Sequence, residues 1–125
     1  MTTIYDREPG MDSMQVFTEL TEPFAVVTVV GDLDATTTAQ LHDSIQRARD
    51  LSPHLLLDLA GMTFMDSAGI RVLLDAYNHA RAHGGSFTLS GPRPSPRKVM
   101  ELVGLAQYIP IRESLTEALQ DGPPA

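Results

Sequence analysis

Cysteine is absent from this chain of 125 residues. Disulfide bonds, thiolate catalysis and thiolate metal sites are therefore excluded as explanations of its stability or function. A protein without cysteine fits a reducing compartment. The length suits one domain, which can bury roughly two thirds of its unfolded surface without cross-links.

Cationic side chains are also scarce: 9 lysines and arginines stand against 16 aspartates and glutamates, giving a net charge of −7. This balance argues against direct contact with nucleic acid, whose phosphates need a cationic surface, and suits a basic partner. No apolar run approaches the roughly 20 residues that span a bilayer. Residues 1–12 lack the basic and apolar segments of a signal peptide. We therefore expect a cytoplasmic protein without membrane contact.

Strand and helix patterns alternate along most of the chain. Strands are predicted at 14–20, 24–30, 55–59, 86–89 and 108–111, and helices at 39–50, 67–82, 96–103 and 114–120. We expect residues 1–12 to form a flexible lead and residues 121–125 a flexible tail, with one domain at 13–120 between them. The alternation predicts an α/β fold with a mixed, mostly parallel sheet of four to five strands and about four helices.

The stretch from Leu55 to Tyr77 organises this prediction. A buried strand leads through a predicted loop at Gly61 to Ser67, at the start of a helix with one apolar face. Open parallel sheets place their binding sites beyond the carboxyl ends of the strands. Two predicted loops are of that kind, one at 31–34 and one from Asp58 to Ser67. They meet at one edge of the sheet if their parent strands are neighbours.

Ser67 has three possible roles. These are the N-cap of the helix, a phosphorylated hydroxyl and a nucleophile. The nucleophile reading lacks the G-x-S-x-G elbow and a histidine base near the serine. A helix N-terminus tolerates a phosphate, because its free N–H groups and dipole favour negative charge.

Asp32 and Asp34 are either loop caps or a contact pair for a cationic partner. His79 and His83 have the i, i+4 spacing of a metal pair, but no third ligand is evident, so we expect neither a metal nor a cofactor. The cluster of Arg93, Arg97 and Lys98 is interpreted as a solvated face. The methionines at 62, 65 and 100 are predicted to lie in or near the core.

The segment from Phe64 to Ile70, FMDSAGI, resembles the STAS domain of bacterial anti-sigma factor antagonists. In that family the serine after the aspartate is phosphorylated. Gly31-Asp32-Leu33-Asp34 is similar to the family's G-E-L-D segment, with aspartate in place of glutamate. Gly84-Gly85 and the proline-containing loop and helix that follow complete the similarity over about residues 13–120. Ala68 replaces a second hydroxyl residue, which leaves Ser67 as the one acceptor in the motif.

The resemblance implies a regulatory protein and not an enzyme. The unphosphorylated chain would bind an anti-sigma factor that is also a serine kinase, and a sigma factor would be released. Phosphorylation of Ser67 would end the binding, and a PP2C-type phosphatase would reverse it. The resemblance implies a partner surface, and we expect the protein to be a monomer. The expected surface residues are Asp32, Asp34, Asp66, Ser67, Ala68 and Gly69.

Two alternatives remain open. The chain could be a STAS scaffold or ligand-sensing module in which Ser67 only caps the helix. It could also be a small serine hydrolase that uses Ser67, which the missing elbow and missing histidine base disfavour.

Overall fold

The computed structural model describes the backbone of residues 3–6 and all of residues 13–124. The strands are β1 (Thr3–Asp6), β2 (Met14–Thr21), β3 (Phe24–Leu33), β4 (His54–Met65), β5 (Ser86–Ser90) and β6 (Ile111–Arg112). The helices are α1 (Thr38–Arg49), α2 (Ser67–Ala82), α3 (Pro94–Leu102) and α4 (Leu115–Asp121), with a 3₁₀ turn at Leu105–Gln107.

The strands form one sheet of six in the order of the sequence. The first three pair antiparallel, and β3 to β6 pair parallel. This confirms the α/β fold with a mixed, mostly parallel sheet. The sheet has one strand more than the upper prediction, because Thr3–Asp6 pairs with β2 at its edge. The rest of the predicted flexible lead, and Ala125 of the predicted tail, lie outside the described residues.

The two predicted loops at the carboxyl ends of β3 and β4 are largely strand. The sequence predicts that β3 stops before Gly31 and that β4 gives way to a loop at Gly61. Both predictions are wrong, because parallel pairing of the two strands continues through irregular register as far as Leu33 and Met65. Gly31 permits this path: its φ is +103°, and a Cβ there would collide with the carbonyl oxygen of Ser13.

Two other element boundaries differ from the predictions. Helix α3 begins at Pro94 and not at residue 96, with Arg93 as its N-cap, because Pro94 already provides the fixed φ that suits a first helical turn. The last strand begins at Ile111 and not at residue 108. Tyr108 and Ile109 instead donate backbone N–H groups to the carbonyl oxygen of Leu105 and continue the 3₁₀ turn.

Apolar side chains cover both faces of the sheet, and the cluster on one face is larger than the cluster on the other. The larger cluster joins the sheet to α1 and α2 through Leu41, Ile45, Leu73 and Ala76. It also contains the methionines at 62, 65 and 100, which confirms their predicted place in the core. On the other face, Ala118 of α4 packs with a smaller cluster, whose other buried members are Phe24, Val26 and Leu56. In the described part of the chain, no helix is both long enough and apolar enough to span a bilayer.

One buried polar atom of the core lacks a partner. The hydroxyl of Thr88 in β5 is buried and makes no hydrogen bond within the described residues. Thr88→Val removes this hydroxyl and keeps the shape of the side chain. We expect the free energy of unfolding, measured by urea denaturation, to stay constant or rise by up to about 1 kcal/mol.

The matched control is Thr88→Ser, which keeps the hydroxyl and deletes the methyl group. We expect it to destabilise the protein by about 1 kcal/mol, because a buried methyl group is lost. A loss of more than 1 kcal/mol in the valine variant would show that the hydroxyl has a partner.

Candidate functional site

The carboxyl ends of β3 and β4 lie side by side at one edge of the sheet. In the parallel register, Asp32 is opposite Phe64 and Leu33 is opposite Met65. The backbone N–H of Asp66 also donates to the carbonyl oxygen of Leu33, at 3.3 Å. The segments that carry Asp32, Asp34, Asp66 and Ser67 are therefore neighbours, as the sequence predicts for adjacent parent strands.

Asp66 is the N-cap of α2. Its Oδ1 accepts hydrogen bonds from the backbone N–H groups of Ala68, at 2.9 Å, and Gly69, at 3.3 Å. The interpretation of Ser67 as the cap is therefore wrong. Asp66 has the extended backbone that a cap requires, whereas Ser67 already lies within the helix as its first residue.

The hydroxyl of Ser67 is exposed and forms no hydrogen bond within residues 13–124. It lies in the first turn of α2, where the positive end of the helix dipole favours an added anion. Because Asp66 performs the capping, a modification of this hydroxyl would not remove a hydrogen bond that holds the helix in place.

Asp34 organises the turn before α1. Its Oδ1 accepts hydrogen bonds from the backbone N–H of Thr36, at 2.9 Å, and from the Thr36 hydroxyl, at 2.6 Å. These bonds hold the pKa of the Asp34 carboxyl below its usual value. The hydroxyl of Thr37 donates to the carbonyl oxygen of Asp32, at 2.9 Å, and so closes the turn.

Asp32 is tied to the neighbouring strand. Its Oδ1 accepts a hydrogen bond from the hydroxyl of Thr63 in β4, at 2.8 Å, and its backbone N–H donates to Ser13, at 2.7 Å. The sequence reading did not assign Thr63 to the site. The pairing that brings it to Asp32 depends on the irregular register between β3 and β4, which leaves no pattern in the sequence.

Ala68 and Gly69 belong mainly to the packing beneath the site. Gly69 is buried, and a Cβ there would lie 2.7 Å from Cγ of Met65 and 2.9 Å from Cγ of Leu33. Such contacts are too short, so glycine lets the start of α2 approach the end of β3. Ala68 is half-buried. Direct contact of these two residues with a partner stays a prediction.

Phe64 is an apolar component of the site that the sequence reading left unassigned. Its side chain is 45% exposed, two residues before Asp66 in the chain and opposite Asp32 in the register. A large exposed aromatic side chain beside polar groups is typical of an interaction surface. Phe64 belongs to the FMDSAGI segment on which the family resemblance rests. Strand alternation alone does not predict whether its side chain faces the core or the solvent.

The site carries negative charge without a counter-ion. Among residues 13–124, no lysine, arginine or histidine forms an ion pair with Asp32, Asp34 or Asp66. The same residues contain no group of three or more acidic or histidine side chains arranged to hold a metal ion. The arrangement therefore suits contact with a cationic surface better than coordination of a metal.

No histidine is available to activate Ser67 within this part of the chain. His79 is in the same helix but twelve residues further on, about 18 Å at 1.5 Å per residue. His54 contacts Ser86, and His83 contacts the backbone of His79. His42 lies beside Asp43. The geometry gives no support to a serine hydrolase at Ser67.

Comparisons with known proteins agree with this architecture. The family model of the STAS domain matches residues 15–118. A protein of Paenibacillus polymyxa named anti-sigma F factor antagonist is 27% identical over 113 residues, covering 87% of this chain and 95% of the relative. The crystal structure of an anti-sigma factor antagonist from Mycobacterium paratuberculosis has a TM-score of 0.80 and 28% identity, covering 92% of this chain and 97% of that one.

The anti-sigma factor antagonist SpoIIAA is a further structural relative, at 25% identity. Its unphosphorylated form has a TM-score of 0.71 and covers 85% of this chain and 94% of its own. The structure of the phosphorylated form of SpoIIAA, described as a Bacillus cell fate determinant, has a TM-score of 0.66, covering 85% of this chain and 97% of its own. With the family match over most of its length and a fold similar to those of these relatives, the chain belongs to the STAS domain family.

Proposed function

We propose that this chain is a cytoplasmic, monomeric anti-sigma factor antagonist. In its unphosphorylated form it binds an anti-sigma factor that is also a serine kinase, and the bound sigma factor is released. The kinase phosphorylates Ser67, which ends the binding, and a PP2C-type phosphatase restores the first state. The chain acts as a binding partner and a substrate of the kinase, without catalytic activity of its own.

The observation that carries this proposal is the division of roles between Asp66 and Ser67. Asp66 caps α2, and Ser67 keeps an exposed hydroxyl in the first turn with no hydrogen bond in the described structure. A kinase can therefore reach the hydroxyl, and its modification leaves the cap intact. The solved forms of SpoIIAA, one unphosphorylated and one phosphorylated, add support from a relative.

The surface around Ser67 explains why a phosphate would end binding. A phosphoserine adds about −1.5 to −2 charges at neutral pH. It would stand beside Asp66 and close to Asp32 and Asp34, whose charges are unpaired in the described structure. The added charge and its water shell would prevent a partner that fits the unmodified surface from closing on it.

The alternatives differ in what they require of Ser67. A STAS scaffold or ligand-sensing module needs neither a kinase nor an exposed hydroxyl. A serine hydrolase needs a base, and the described histidines do not contact Ser67. The capping by Asp66 favours the phosphorylated antagonist, because it leaves Ser67 without a structural task.

The proposal is tested first by phosphorylation. We would incubate the protein with ATP and the anti-sigma factor kinases encoded in the same genome, and measure intact mass. We expect the addition of one phosphate, and its loss in Ser67→Ala. If none of these kinases binds or modifies the protein, the proposed function is wrong. Hydrolysis of simple esters that disappears in Ser67→Ala would instead favour the hydrolase.

Binding to the kinase should respond to charge at position 67. We expect Ser67→Ala to bind within about threefold of wild type. Ser67→Asp should raise the dissociation constant at least tenfold, because it adds charge where the phosphate would be. This corresponds to a loss of about 1.4 kcal/mol of binding free energy. The control is Thr116→Asp, which adds the same charge at an exposed position in the first turn of α4, on the other face of the sheet. Equal binding by the two aspartate variants contradicts a local charge effect.

Asp34 should contribute through long-range attraction. The hydrogen bonds from Thr36 orient its carboxylate and lower its pKa. We expect Asp34→Asn to lower the association rate with the kinase several-fold at low salt, with a smaller effect at 0.5 M salt, where charges are screened. Asp43→Asn, at an exposed carboxylate of α1, is the charge-matched control. An effect of Asp34→Asn that does not change with salt would contradict the electrostatic role.

Phe64 should contribute through apolar contact. Its side chain is 45% exposed beside the acidic residues, so we expect Phe64→Ala to weaken kinase binding at least tenfold at low and high salt alike. Tyr108→Ala, at another exposed aromatic residue, serves as the control. If both variants bind as tightly as wild type, the partner does not cover Phe64. Urea denaturation of each variant separates a binding effect from loss of stability.

A further inference from the structure

The ends of α1 and α2 that are far from Ser67 collect positive charge in a chain whose net charge is −7. A cleft of about 170 Å³ lies there, and an adjoining cleft of about 270 Å³ continues along the groove between α1 and α2; Arg49 and His79 line both of them. His83 lines the smaller cleft and His42 the larger one. Because the two clefts share Arg49 and His79, we refer to them together as the cationic cleft.

The two histidines of α2 are held in a fixed arrangement. Their rings stack with centroids 4.0 Å apart and planes 15° from parallel. Nδ1 of His83 lies 2.8 Å from the carbonyl oxygen of His79. A carbonyl oxygen only accepts, so Nδ1 of His83 carries a hydrogen and its Nε2 is not used in this contact.

Arg49 is a half-buried cation without a counter-ion. Burial lowers the pKa of its guanidinium, and no carboxylate within residues 13–124 pairs with it. The one carboxylate on the cleft lining is Asp75, which lies 4.0 Å from Arg71. A partly desolvated charge is stabilised by an ion of the opposite sign, so this position favours an anion.

The cleft also has apolar walls. Pro53, Leu55 and Ala80 line the smaller part beside Arg49 and the two imidazoles. Binding sites for small molecules commonly combine apolar walls with a few polar groups that orient the ligand. We propose that the cationic cleft binds a small organic anion, with Arg49 and His79 contacting its carboxylate or phosphate oxygens and the apolar walls contacting its body.

This site is independent of the proposed switch at Ser67. The two lie at opposite ends of α2, about 18 Å apart along the helix axis. The inference therefore does not rest on the antagonist function, and each is testable without the other. It assigns a ligand site to a fold whose sensing role the sequence left open.

Binding should depend on pH. Burial, with Arg49 and His83 nearby, lowers the pKa of the His79 imidazole. A bound anion favours the protonated form and raises this pKa. The other titratable groups on the lining are His42 and Arg49 from α1 and Asp75 and His83 from α2. Affinity should therefore increase as the pH falls from 7.5 to 6.0.

The test follows the histidine ring protons by NMR during titration with inorganic phosphate and, separately, with benzoate, at constant ionic strength set by chloride. We expect saturable shifts of His79 and His83, and at least threefold tighter binding of benzoate, whose charge does not change in this range, at pH 6.0 than at 7.5. Tighter binding of benzoate identifies an apolar carboxylate as the ligand type, and tighter binding of phosphate identifies a phosphate monoester. Shifts that do not saturate with either anion would overturn the proposal.

The variant that tests the contact is Arg49→Gln, for which we expect affinity to fall at least tenfold. Lys98→Gln, which removes an exposed cation of α3, is the charge-matched control and should bind as wild type. An equal loss of affinity in both variants would show that only the overall charge of the protein matters. That result would contradict the site. Should Arg49→Gln perturb the fold, His79→Gln read through the His83 ring protons tests the same contact, and unchanged affinity there overturns the proposal.

Discussion

The parallel pairing of β3 with β4 is the constraint on which the site depends. The two strands stay paired, with shifts in register, past the points where their glycines would be expected to end them. Their extra residues carry Asp32 opposite Phe64, and they bring Thr63 within hydrogen-bond distance of Asp32. If the pairing ended earlier, the acidic segment before α1 and the start of α2 would be separate, mobile turns. Backbone pairing thus fixes the relative position of groups that are far apart in sequence.

Three carboxylates are concentrated on that edge of the sheet, and hydrogen bonds already hold them in place. Asp34, Asp32 and Asp66 each accept hydrogen bonds from nearby threonines or backbone N–H groups, so their carboxylates are already oriented. A preorganised acidic surface loses less conformational entropy when a basic partner binds. The aromatic ring of Phe64 supplies apolar contact area next to these charges. The acidic groups and the apolar ring together suit a partner that is first attracted by long-range electrostatic forces. The partner is then held by contacts from which water is excluded.

The sequence predicted the elements whose patterns are long and periodic. The apolar face of α2 and the strand from Leu55 were clear, because burial imposes their spacing. The ends of β3 and β4 were not, since a glycine in an irregular register looks the same in sequence as a glycine in a turn. The cap of α2 was ambiguous for a local reason: Asp66 and Ser67 are both favourable cap residues, and only the backbone distinguishes them. The cationic cleft was hidden, because Arg49 and His79 meet only when α1 and α2 pack side by side.

Asp66 caps α2 and Ser67 does not, and this separation of roles has an evolutionary consequence. If one residue both capped the helix and accepted a phosphate, replacing it by a non-capping residue would cost about 1 kcal/mol of stability. Here the stabilising hydrogen bonds belong to position 66, so position 67 can mutate with little effect on folding. Duplicated copies of such a gene could drift to alanine, threonine or aspartate at this position while remaining folded. Regulation by a kinase would then be gained or lost by a single substitution, and the scaffold would persist unchanged through those transitions.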